Sequence, residues 1–153
     1  RVMFPIIDTN NRVIGFGGRV MGDAKPKYIN TQDTLVFDKS RNLYGLNFAR
    51  SSRKSQILLC EGYMDVIALH AAGFENAVAT LGTAITSEQA RLMTRYTKKV
   101  IITYDSDEAG QLAAKGMMAV LGECYEMRYR PPPNGKDYNE FLQRKNEDGR
   151  EER

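Results

Sequence analysis

Two acidic signatures, about forty residues apart, carry the chemistry this chain could do. Glu61-Gly62-Tyr63-Met64-Asp65 follows the apolar run Gln56-Ile57-Leu58-Leu59-Cys60, and Asp105-Ser106-Asp107-Glu108-Ala109-Gly110 follows Val100-Ile101-Ile102-Thr103-Tyr104. A carboxylate just past a buried parallel strand lies at the carboxyl edge of the sheet, where open α/β folds hold their ligands. Three or more carboxylates gathered there repel one another unless a cation joins them. Hard oxygen donors of this kind suit Mg2+. The pattern points to metal-dependent phosphoryl transfer on an α/β sheet. The sequence holds no Walker A loop, and Gly15-Phe16-Gly17-Gly18 is not a dinucleotide fingerprint.

Each carboxylate also has a structural reading. Glu61 could cap the helix that follows it, with Gly62 allowing a sharp turn. Asp65, four residues on, could be a favourable charge in that helix's first turn. Glu108 belongs to a first turn rather than to a ligand set. Asp105 and Asp107 are spaced i, i+2 and enter one site if the backbone turns between them. Unpaired carboxylates packed that closely cost free energy, which favours the ligand reading. His70, the only histidine, reads as a partly buried surface residue without a catalytic role. Cys60 and Cys124 lack a Cys-x-x-Cys partner and read as two buried, reduced thiols.

The elements that must position these residues follow from punctuation and period. Val2–Ile7 and Val13–Val20, joined by Asp8-Thr9-Asn10-Asn11, predict an antiparallel hairpin. The glycines of its second strand suggest a bulge or a close approach by another chain or a ligand. Residues 22–55 are irregular, with a turn and short helix around Leu43-Tyr44-Gly45-Leu46-Asn47-Phe48-Ala49. From residue 56 strands and helices alternate. Strands are expected over 56–60, 77–81, 99–104 and near 123–130, and helices over 64–72, 87–96 and 108–120. Gly73 ends the first helix and Thr86 or Ser87 caps the second. That alternation implies a mainly parallel sheet flanked by helices. The organisation read from this is a basic subdomain over residues 1–55, an α/β domain over 56–145 and a frayed polar tail over 146–153.

Composition bounds the partners. Hydrophobic residues make up 42% of the 153, enough for a core, and no apolar run approaches the ~20 residues of a membrane span. Residues 1–60 hold ten Lys/Arg and four Asp/Glu; residues 61–153 hold twelve and fifteen. A basic leading part before an acidic part suits a protein that grips polyanion with one and metal with the other. The chain opens on Arg1, directly in a strand, and reads as a piece of something longer.

A strand ending in Glu61-Gly62 and a later strand ending in Asp105-Ser106-Asp107 resemble the TOPRIM domain. The full acidic strings and the upstream segments resemble the bacterial DnaG-type DNA primase, over nearly the whole chain. The resemblance implies that Glu61, Asp105 and Asp107 are catalytic, and that Glu61, Asp65, Asp105, Asp107 and Asp137 hold Mg2+, with Mn2+ able to substitute. Asp137 lies in Gly135-Lys136-Asp137-Tyr138-Asn139-Glu140, where the family usually has a second aspartate in place of Asn139. Arg19, Lys27 in Pro26-Lys27-Tyr28-Ile29-Asn30, Lys39 and Arg41 match positions that contact template or nucleotide phosphates.

The activity implied is template-directed synthesis of short RNA primers on single-stranded DNA from ribonucleoside triphosphates, in the bacterial cytoplasm at the nucleoid. The replicative helicase is the implied partner, through a region outside this sequence, and zinc is expected only in an upstream module. The alternatives are a TOPRIM nuclease or topoisomerase module, a non-catalytic TOPRIM, or the primase of a phage or mobile element. Lys27 and Leu43-Tyr44-Gly45 argue against the first; the intact Glu61, Asp105 and Asp107 argue against the second.

Overall fold

Alternating side-chain directions along short strands build two sheets in the computed structural model, which describes residues 1–82, 84–133 and 137–151. The first is antiparallel: β1 (Val2–Ile7), β2 (Val13–Arg19) and β3 (Tyr28–Asn30), in the order β1-β2-β3. Asp8 shapes the hairpin turn, its carboxylate accepting from the amides of Asn10 and Arg12 and pairing with the Arg12 guanidinium at 2.9 Å. The hairpin is the one expected. β3 is an addition, since three residues between loops carry no readable period. An added Cβ on Gly15 would meet the Phe37 ring at 3.0 Å, and one on Gly17 would clash with the ring of Tyr63. The close approach expected at these glycines is thus made by this chain's own aromatic side chains.

A 3-10 turn (Lys39–Arg41) and the short helix α1 (Leu46–Ala49) lead to the second sheet. Its strands are β4 (Ile57–Cys60), β5 (Ala77–Ala79), β6 (Lys99–Ile102) and β7 (Glu126–Tyr129), all parallel, in the order β5-β4-β6-β7. The helices are α2 (Tyr63–Ala71), α3 (Ser87–Thr94), α4 (Glu108–Leu121) and α5 (Tyr138–Glu151).

Both faces of the sheet's centre are buried, so β4 and β5 read as continuous apolar runs, whereas the edge strand β7 alternates with exposed Glu126 and Arg128. Ile57, Leu59, Val100 and Ile102 point to one face, where α3 and α4 supply Ala90, Met93, Ala114, Met117 and Leu121. Leu58, Cys60, Ala77 and Ala79 point to the other, against Val66 and Leu69 of α2 and Tyr138 and Leu142 of α5. Leu59 is wholly buried; truncating such a leucine to alanine costs roughly 2–5 kcal/mol. Thr86 caps α3 through a capping box with Gln89, as the sequence expects.

Two expectations need correction. Cys124 is exposed, in a 3-10 turn (Gly122–Cys124) that precedes β7, so only Cys60 is the buried thiol. The strand near 123–130 is correspondingly shorter. α5 runs through Glu151, along the stretch expected as a polar tail over 146–153, of which 152–153 lie outside the described residues.

The two sheets meet along Ile6, Phe37, Tyr63 and Leu81, with Phe4, Ile14 and Tyr44 packed beside them. Tyr44 exchanges both backbone hydrogen bonds with Ala79, at 2.8 and 3.0 Å, which stitches the segment before α1 to the edge strand β5. No described helix is long and apolar enough to cross a membrane.

Candidate active site

β4 is the point where the strand order reverses: β5 lies on one side of it and β6 on the other. Chains leaving β4 and β6 at their carboxyl ends therefore diverge to opposite faces and leave a crevice between them. Glu61 follows β4 directly, and Asp105 lies three residues past β6. Both line one cleft of about 350 Å³, together with Asp65, Asp137, Lys27, Tyr28, Asn30, Tyr63 and Thr80.

Each carboxylate is set by its own local structure. Glu61 is exposed at the end of its strand. Asp65 is buried in the first turn of α2, where the Gly62 amide and the Asn139 amide donate to it, the latter at 3.3 Å. Asp137 accepts from the Glu140 amide at 2.7 Å at the start of α5. Asp105 is half-buried, its carbonyl held by the Tyr129 hydroxyl at 2.7 Å. Gly110 makes this packing possible, since an added Cβ would lie 2.9 Å from the Asp105 Cβ and closer still to its carbonyl oxygen.

Gly62 is extended, at φ −145° and ψ 176°, which any residue adopts; the sharp turn expected there is absent. Asp107 is the N-cap of α4, accepting from the Gly110 amide at 2.8 Å, and is not among the residues that line the cleft.

The electrostatics are those of a crowded acidic site. Burial, and then the charges of Glu61, Asp65, Asp137 and Asp107, push the Asp105 carboxyl up to about 7. Burial, and then Asp137, push Asp65 up to about 6 against the amides that favour its charged form. Oxygen donors that lift one another in this way fit a hard divalent cation. Among the described residues no three acidic, imidazole or thiol groups are drawn together to hold an ion by themselves. A cation that keeps waters and completes its shell with phosphate oxygens suits such a spread set.

The basic residues divide. Lys27 is exposed and lines the cleft. Arg19 holds its guanidinium 5.9 Å from the ring of Tyr28, itself a cleft residue. Lys39 pairs with Asp33 at 3.3 Å, and Arg41 with Asp38 at 3.4 Å; neither lines the cleft. His70 meets the Ala77 carbonyl at 2.9 Å and the edge of Phe48, away from the carboxylates, as expected of a structural histidine. Asn139 turns its side-chain oxygen to Gln143 at 3.1 Å. Sequence reasoning passed over Tyr28, Asn30, Tyr63 and Thr80. Tyr28 and Asn30 share a face as residues i and i+2 of β3, a strand too short for its period to show in the sequence.

Comparison with known proteins agrees with this fold. Residues 58–142 match the family described as Toprim-like, and residues 1–50 match the DNA primase catalytic core, N-terminal domain. The DNA primase of Clostridium acetobutylicum is 49% identical over 146 residues, which are 94% of this chain and 24% of that protein. The Aquifex aeolicus primase, solved as its zinc-binding and RNA polymerase domains, superposes with a TM-score of 0.89 at 42% identity, over 99% of this chain and 39% of that one. A DnaG primase catalytic domain bound to single-stranded DNA superposes with a TM-score of 0.83 at 40% identity, over 99% and 50%. The chain spans about a quarter of the length of the curated relatives it matches.

Proposed function

The chain belongs to the Toprim-like family, and from that premise we propose that it is the nucleotidyl-transfer core of a DNA primase, which makes short RNA primers on single-stranded DNA. The observation that carries the reading is the cleft at the β4–β6 switch point, which Glu61, Asp65, Asp105, Asp137 and Lys27 line together. Such a site holds a triphosphate between a cation on its acidic wall and a lysine on its basic wall. The DnaG catalytic domain bound to single-stranded DNA, similar over 99% of this chain, supports that template.

Phosphoryl transfer asks a protein chiefly for positioning and for neutralisation of charge. Mg2+ bound here, with Mn2+ as substitute, would polarise the phosphoryl oxygens and acidify the attacking hydroxyl. Glu61, Asp65, Asp105, Asp107 and Asp137 would hold it. Lys27 neutralises phosphate from the opposite wall. Tyr28 offers an aromatic face beside Arg19, suited to a base of the template or nucleotide. Asp107 fixes the start of α4, which in turn supports the Asp105 backbone from beneath through Gly110.

The replicative helicase and a bacterial cytoplasmic setting belong to the same proposal for the longer protein. The test is incorporation of labelled ribonucleotides on a single-stranded DNA template, with Mg2+ or Mn2+ and with chelator. Template-dependent RNA that disappears with chelator supports the reading; nicking or relaxation of DNA in its place would move it to a nuclease or topoisomerase module. The 153 residues alone are expected to make primers poorly beside a longer protein, since aligning two nucleotides and a template needs a fuller groove.

A further inference from the structure

We propose that Asn30 is a positioning residue that locks the basic strand over the acidic edge, an inference that rests on the nucleotidyl-transfer reading above. β3 has only three residues and buries none of them fully. Its ladder to β2 ties it to the antiparallel sheet alone. Beside the edge-on contact of Tyr28 with the Tyr63 ring at 6.2 Å, what hydrogen-bonds it to the other sheet is the Asn30 amide, both ends of which cross between the two. Nδ2 donates to the Leu81 carbonyl at 3.0 Å, and Oδ1 accepts from the Tyr63 hydroxyl. Leu81 follows β5, and Tyr63 opens α2 two residues after Glu61. One neutral side chain thus ties β3 to the segment after β5 and to the start of α2, beside Glu61.

The surrounding chain is shaped for this contact. Asn30 stands opposite Gly17 in the β2–β3 ladder, and the missing side chain of Gly17 is the slot that the Tyr63 ring fills. Tyr63 is 5% exposed and braced by Tyr44, with ring centroids 4.6 Å apart, and by Phe4 at 6.0 Å. Gly82, at φ +81°, is left-handed and passes beneath the amide, where a Cβ would lie 3.1 Å from Asn30 Nδ2.

The residue type also matters. Aspartate here would present an acceptor to the Leu81 carbonyl and add a charge to a cleft already lined by four carboxylates. Lys27 and Tyr28 precede Asn30 in the same short segment, so the lock sets where the ammonium group and the aromatic ring stand relative to Glu61 and Asp105. A displacement of about 1 Å in such a two-walled site can cost on the order of 100-fold.

Calorimetry with Mn2+ alone, and with Mn2+ plus inorganic triphosphate, tests this on the whole chain, for wild type, Asn30→Ala, Lys27→Ala and the double variant. Asn30→Ala should bind Mn2+ alone as wild type does and bind the Mn2+–triphosphate pair about tenfold more weakly. The double variant should be no weaker than Lys27→Ala, because the two act through one contact. Tyr63→Phe, which removes one of the two bonds and keeps the ring, should show a smaller loss and covers the case in which Asn30→Ala does not fold. Losses that multiply in the double variant, or an equal loss for Mn2+ alone, would overturn the inference while leaving the site reading intact. Wild type that binds no Mn2+–triphosphate would overturn both.

Discussion

The acidic wall and the basic wall of the cleft are built on opposite principles. Glu61 and Asp105 leave adjacent parallel strands buried on both faces, so their backbone positions are fixed by the core itself. Lys27 precedes, and Tyr28 opens, a three-residue strand held by a ladder on one side and by the Asn30 amide and one ring contact on the other. The difference teaches where strain is tolerated. The acidic wall carries the electrostatic cost of crowded carboxylates because the sheet beneath it is rigid. The basic wall carries little packing, and its placement depends on a few polar contacts.

The largest expected effect is at the acidic wall. Asp105→Asn should lower primer synthesis by about a thousandfold or more, since a cation's share of transition-state stabilisation is several kcal/mol. It should do so without unfolding the domain, because it removes a group whose ionisation burial, and then its neighbours, oppose. A rate measured beside a thermal melt checks both halves. Loss of activity accompanied by loss of fold would break the claim that this wall is rigid without its charge.

Next come the glycines that let each wall be built. Gly110→Ala drives a Cβ into the Asp105 backbone, and Gly17→Ala drives one into the Tyr63 ring. Overpacking of this kind typically costs 1–3 kcal/mol. The two should differ in kind. Gly110→Ala should weaken binding of Mn2+ itself, whereas Gly17→Ala should spare Mn2+ and weaken only the triphosphate complex. Denaturant melts and calorimetry separate the outcomes, and identical binding profiles would dissolve the distinction between the walls.

Within the basic part the structure sharpens a set that sequence treats as equal. Lys27→Ala should reduce the salt dependence of single-stranded DNA binding by about one counterion. Lys39→Ala and Arg41→Ala should change it less, because each of these side chains already has a carboxylate partner in Asp33 or Asp38. Titrations of binding against salt for the three variants give the order directly. Equal slopes for all three would restore the view of one continuous basic track.

How far the sequence could be read follows the same division. The parallel sheet was legible because β4 and β6 are apolar runs that end in carboxylates, and both ends reach the cleft. The capping box at Thr86 and Gln89 was legible because its spacing is local. β3 was not, because its pairing with β2 spans a loop and its period is too short to see. Asp107 reads as a ligand by proximity to Asp105; its Oδ1 also caps α4, a role its place before a helix allows and one compatible with ligation through the second carboxylate oxygen. Asn30 was invisible as a lock because its partners, Tyr63 and Leu81, lie 33 and 51 residues away.

The smallest effect is a pH dependence of stability that belongs to the acidic wall alone. Asp105 and Asp65 both have folded-state values raised above the ordinary 3.8, to about 7 and about 6. In the interval between those values and 3.8 the folded chain binds more protons at these sites than the unfolded chain does. Stability from this source is therefore present at low pH and falls as pH rises from about 4 toward 7. Asp8 and Asp33 are shifted downward by their Arg12 and Lys39 neighbours, so their contribution is lost only as pH falls below the ordinary aspartate range. Without divalent cation the melting temperature should thus decline between pH 5 and pH 7, and Asp105→Asn should flatten most of that decline. Added Mg2+ or Mn2+ should raise the melting temperature at pH 7 more than at pH 5, because protons compete with a cation for the same oxygens. A metal-free melting temperature that rises through this interval, in wild type and variant alike, would show that the carboxylates are too well solvated to oppose one another.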